Sequence, residues 1–65
     1  MDEISEVFLV EVRDVHSDWH SVESVHVSAE GAEKARKNSQ SLWGEGTPLN
    51  PPRYIVRVTS KPLSA

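Results

Sequence analysis

The residues with the clearest chemical potential lie between positions 14 and 26. Asp14, His16, Asp18 and His20 occur at alternate positions, and His26 follows close behind. Two imidazoles and a carboxylate suffice to hold zinc. An extended backbone would turn the four alternating groups to one face. Ser17-Asp18 works against that geometry, because both side chains bond nearby backbone and favour a turn. Solvated groups at a hairpin tip are therefore expected, with no metal and no cofactor.

Nucleophilic catalysis finds equally little support. Serines and histidines are present, but no strand-to-helix elbow or glycine-rich frame surrounds any of them. Gly44-Glu45-Gly46 is acidic at its centre and precedes no helix, so it does not suit a phosphate. A pocket of enzyme size, on the order of 300 Å³ or more, is hard to enclose in so short a chain. The expectation is a protein that is not an enzyme.

The elements that carry these residues make one domain in 65 residues. Such a chain buries only about 60% of its unfolded surface and is marginally stable. It has no cysteine, which excludes disulfides and thiolate metal sites and suits a reducing cytoplasm. Residues 1–6 are acidic where a secretory signal would be basic. No apolar run approaches the roughly 20 residues that span a bilayer, so no membrane role is expected.

Glu6 to Arg13 is the most strand-like stretch. Phe8, Val10 and Val12 share one face; Val7, Leu9, Glu11 and Arg13 share the other. A hairpin follows, then a second strand from about Trp19 to Val27. Trp19, Val22, Val25 and Val27 do not share a parity, and a bulge near Glu23-Ser24 would repair the pattern. Ser28 suits a helix N-cap and Gly44 a C-terminal stop. Between them Ala29, Ala32, Ala35, Ser39 and Leu42 line one face of a helix over 29–43. Two glycines and three prolines mark 44–52 as loop. A third strand spans Arg53 to Ser60, with Tyr54, Val56 and Val58 on one face. The termini, 1–5 and 62–65, are expected to be loose.

The order is ββαβ, an α+β fold. A crossover through the helix places strand three beside strand one, giving an antiparallel sheet of order 2-1-3 with the helix on one face. Phe8, Val10, Val12, Ala32, Ala35, Leu42, Tyr54, Val56 and Val58 are the expected core. Trp19 and Trp43 are expected to close its opposite ends.

This layout resembles a group of small uncharacterised bacterial and phage ββαβ proteins. Val7-Phe8-Leu9-Val10, Trp19 and the Ser28-Ala29-Glu30-Gly31-Ala32 helix start carry the likeness, which covers about half the chain. The resemblance implies the fold and a phage or mobile-element setting. It transfers no functional residue.

The formal charge is −3, unevenly spread. Residues 1–33 hold nine acids and one base; residues 34–65 hold six bases and one acid. This split predicts a dipole, with Glu11, Asp14, Asp18 and Glu23 toward one side and Arg53, Arg57 and Lys61 toward the other. A small protein-binding module is expected, a phage or prophage accessory protein acting on a host protein in the host cytoplasm. The candidate contact residues are Val7, Leu9 and Ile55 on the uncovered sheet face, Trp43 and Leu49 near the loop, and Arg53 and Arg57. A homodimer through the apolar face or the free edges is also expected. The alternative is nucleic-acid binding by Lys34, Arg36, Lys37, Arg53, Arg57 and Lys61, with Trp43 and Tyr54 stacking on bases. Overall acidity opposes it.

Overall fold

The computed structural model describes residues 5–63. Its elements are β1 (Glu6–Asp14), β2 (His20–His26), α1 (Ala29–Trp43) and β3 (Tyr54–Pro62). The three strands form one antiparallel sheet of order β2-β1-β3, with α1 on one face. β1 pairs with β3 without interruption from Glu6↔Pro62 to Asp14↔Tyr54. The third strand thus runs two residues beyond Ser60, and Leu63 N–H donates to the Ser5 carbonyl. The remainder of the expected loose ends, 1–4 and 64–65, lies outside the described residues.

The bulge falls on Glu23. Val10 pairs with Ser24 and Glu11 with Val22, so Glu23 has no partner on β1. Paired residues share a face. The bulge therefore brings Val22 and Val25 together on the face away from the helix. Ser21, Ser24 and His26 face α1.

The helix begins where a hydroxyl can cap it. Ser28 is extended (φ −129°, ψ 146°), and its Oγ accepts from Gly31 N–H at 3.1 Å. It ends at Gly44, whose φ of 109° suits glycine and whose N–H donates to the Gln40 carbonyl. Val10, Val12, Ala32 and Val56 are buried, with Phe8, Ala35, Tyr54 and Val58 packed around them.

Leu42 is not in this core, contrary to expectation. It is 88% exposed. At about 100° per residue, position 42 lies roughly 80° from Ala32 around the helix, whereas position 43 lies within about 20°. Trp43 lies closer to that line and packs on Tyr54, though it is 37% exposed.

The two tryptophans also meet at one end rather than closing opposite ends. Their ring centroids are 5.9 Å apart. The topology requires this. β2 runs away from the hairpin, so the helix must return to the hairpin end before β3 can start there.

Candidate functional site

The Asp14–His20 segment is a turn stapled from below. Asp14 accepts from His16 N–H at 2.9 Å and Ser17 Oγ–H at 3.0 Å, and Trp19 N–H donates to Ser17 Oγ. Arg53 donates to both Asp14 oxygens, at 3.3 and 3.2 Å. Asp14 is buried, and the Arg53 guanidinium, with the His16 amide next, holds its carboxyl at about 2, below the ordinary 3.8. These bonds occupy the carboxylate that a metal site would need. Among the described residues no three His, Asp or Glu side chains gather as a ligand set.

Above this turn Trp19, Trp43 and Tyr54 pack together. Trp43 and Tyr54 centroids are 4.8 Å apart, and Trp19 meets Tyr54 edge-on at 6.1 Å. Trp43 Nε1–H donates to Glu23 Oε1 at 2.9 Å, so the bulge supplies the indole's acceptor. Arg53 lies over the Tyr54 ring, 5.6 Å from its centroid. Rings this close leave no room for a base between them, and Trp19 and Trp43 remain 47% and 37% exposed on their outer sides. Tyr54 joins this corner to the core, and Trp43 is engaged in it through Tyr54 and Glu23.

Leu49 has a different setting. Thr47 and Asn50 exchange backbone hydrogen bonds at 2.8 and 3.1 Å, and Thr47 Oγ1 also accepts from Asn50 N–H. Pro48 and Leu49 form the tip, with Leu49 91% exposed. Gly46 (φ 70°) allows this closure, since a Cβ there would lie 2.5 Å from Pro52 N.

The sheet face away from α1 gathers the other candidates. Val7 and Leu9 lie there, half-buried, beside Val22 and Val25 of β2, which are 49% and 57% exposed. Ile55 shares the face but sits opposite Arg13, separated from Leu9 by the Glu11↔Arg57 pair. The face is thus divided. One part is apolar: Val7, Leu9, Val22 and Val25. The other is polar and of mixed charge, where Glu11, Arg13, Asp18, His20, Arg57 and Thr59 border a shallow depression of about 270 Å³. Sequence reasoning missed Val22 and Val25 as contact candidates. The broken parity was their signal, because a one-residue bulge decides which face each occupies.

Two charge expectations need correction. Glu11 and Asp14 are on the central strand, and they meet Arg57 in register and Arg53 in an ion pair at 3.2 Å. These acids and bases are adjacent, not at opposite edges. The six basic residues form no single patch. Lys34, Arg36 and Lys37 are on the helix, on the other side of the sheet from Arg57 and Lys61, and Arg36 is paired with Glu33 at 2.7 Å. No family model, curated protein or solved structure matches the chain.

Proposed function

We propose that the protein is a small non-enzymatic binding module that docks a host protein through the open face of its sheet. The observation carrying this reading is the orientation of β2. It turns Val22 and Val25 to the open face and Ser21 and Ser24 toward the helix. The reverse orientation would bury more apolar surface within the chain, and burial is the main stabilising term in so small a domain. An apolar patch retained outside, with Lys61 in register with Val7 and the Glu11–Arg57 pair beside Val22, suits a partner with an apolar patch and charges of both signs at its rim. The phage or prophage setting and the host cytoplasm rest on the resemblance and on the lack of cysteine. Nucleic-acid binding is the weaker reading, because the basic residues are divided between two faces.

Affinity capture from host lysate with the parent, Val25→Glu and Arg57→Glu tests the reading. A protein retained by the parent and lost by both variants, each still folded by circular dichroism, supports it. Capture that both variants leave intact overturns the face. A mobility shift with DNA or RNA at low salt, abolished by Arg57→Glu, would favour the nucleic-acid reading instead.

A further inference from the structure

The aromatic corner sets a ring beside a carboxylate in two places. In the first, the Arg53 guanidinium lies 5.6 Å from the Tyr54 centroid while it donates to both oxygens of Asp14. The cation uses its flat face on the ring and its fork on the carboxylate. In the second, Trp43 Nε1–H donates to Glu23 Oε1 at 2.9 Å, which holds that carboxylate at the edge of the indole. Among the described residues the ion pairs are Arg36–Glu33 and Arg53–Asp14, so no cation of this chain stands against Glu23. The charge around this second place is negative. Glu23 is exposed on the bulge, Asp18 precedes Trp19, and Glu45 follows the helix. The last helical turn carries no base to offset the negative end of its dipole. Arg53 is neutralised by Asp14.

The corner is also held in place. Gln40 Nε2–H donates to the Tyr54 and Gly44 carbonyls, both at 2.8 Å, and Gln40 Oε1 accepts from Val56 N–H at 2.9 Å. These bonds tie the end of α1 to the start of β3. Trp43 and Glu23 are thus positioned without help from a partner, which favours binding.

We infer that Trp43 and Glu23 receive an arginine side chain of a partner protein, its guanidinium stacked on the outer side of the indole and its N–H groups donating to the carboxylate. A planar group can lie on a ring and reach the acid at that ring's edge together, as Arg53 does; a lysine ammonium offers only a point charge. A free quaternary ammonium fits less well. It is held by rings that surround it, and these rings touch one another, with Trp43 centroid separations of 4.8 and 5.9 Å. So shallow a contact buries too little of a free small molecule. It suits one side chain of a larger interface, where tryptophan and arginine are the usual anchors. Leu42, next to Trp43 and 88% exposed, offers apolar surface to the rest of that interface. The site does not rest on the open-face reading, because α1 lies across the sheet from Val22 and Val25.

Heteronuclear NMR of the full chain, titrated with an acetylated, amidated Gly-Arg-Gly peptide, tests the site. The Trp19 and Trp43 indole N–H signals report on the corner; the Val22 and Val25 amides report on the open face. The expected result is a saturable shift of the Trp43 indole signal with Val22 and Val25 unmoved. The matching Gly-Lys-Gly peptide should bind about two- to fivefold more weakly, and choline should not saturate over the same range. Glu23→Gln keeps an oxygen for the indole N–H and removes the charge. It should weaken the arginine peptide about three- to tenfold. An affinity unchanged in Glu23→Gln overturns the inference. So does a parent that never saturates, or lysine or choline binding as well as arginine. Shifts confined to Val22 and Val25 also overturn it, as does a single-stranded oligonucleotide that saturates the indole signals where the peptide does not. None of these results bears on capture through the open face, whose variants leave the corner intact.

Discussion

Asp14 joins three parts of the molecule through one carboxylate. It closes the hairpin turn through His16 and Ser17 and fixes the entry to β3 through Arg53. Its carboxyl is held at about 2 against an ordinary 3.8, so the folded state favours the charged form. The associated stability is present above the unfolded value near 3.8 and is lost as pH falls through about 2. Thermal melts should therefore drop steeply from about pH 4 to pH 2. Asp14→Asn should melt lower at neutral pH and show a shallower acid limb. An unaltered acid limb in that variant would assign acid sensitivity to other carboxylates, Glu33 first, since Arg36 also lowers its pKa. Gly31 is a smaller case. Alanine there should gain about 1 kcal/mol of helix propensity. Its Cβ, however, would lie 3.0 Å from the capping Ser28 Oγ. Denaturant titration should show Gly31→Ala gaining clearly less than that increment.

At the scale of elements, strands and helix were legible because each is written in local terms. β1 alternates, Ser28 and Gly44 bracket the helix, and broken valine parity marks the bulge. The errors arose where a position depends on something across the fold. Leu42 satisfies an i+3 spacing from Ser39, but drift around the helix axis removes it from the Ala32 line. Arg53 reads as a surface cation until Asp14 is found beneath it. Gln40 gives no signal, because a polar residue late in a helix looks solvated; only the returning strand supplies its partners. Ala32 has no exposed surface and Ala35 is half-buried. Ala32→Glu should leave the chain unfolded by circular dichroism at 25 °C, because a buried unpaired carboxylate costs several kcal/mol, about the whole stability of such a domain. Ala35→Glu should retain the fold with a lower Tm. Gln40→Ala orphans the Val56 amide and the Tyr54 carbonyl and should cost about 1–3 kcal/mol in urea titration.

For the whole molecule, charge and apolar surface have separate consequences. The acids and bases of β1 and β3 neutralise one another along their shared ladder, so the large dipole expected from the halves of the chain is reduced. A mixed face remains, with Arg13, Arg57 and Lys61 beside an apolar corner. Arg53 and Arg57, both candidate contact cations, differ in what they do for the fold. Arg53→Glu sets a second carboxylate against buried Asp14 and should lower the Tm. Arg57→Glu sets a carboxylate opposite Glu11 at an exposed position and should lower the Tm by less than Arg53→Glu does. Its effect on binding belongs to encounter with a carboxylate at the partner's rim. Steering by exposed charge fades beyond a Debye length of about 8 Å at physiological ionic strength. The association rate of the parent should thus fall as salt rises from 10 mM toward 1 M, and Arg57→Glu should begin lower and vary less. Dissociation should respond instead to Val25, because apolar contact is not screened. Stopped-flow association and dissociation rates across that salt range distinguish the two contributions. An association rate indifferent to salt in both proteins would leave the valine corner as the sole source of recognition on this face.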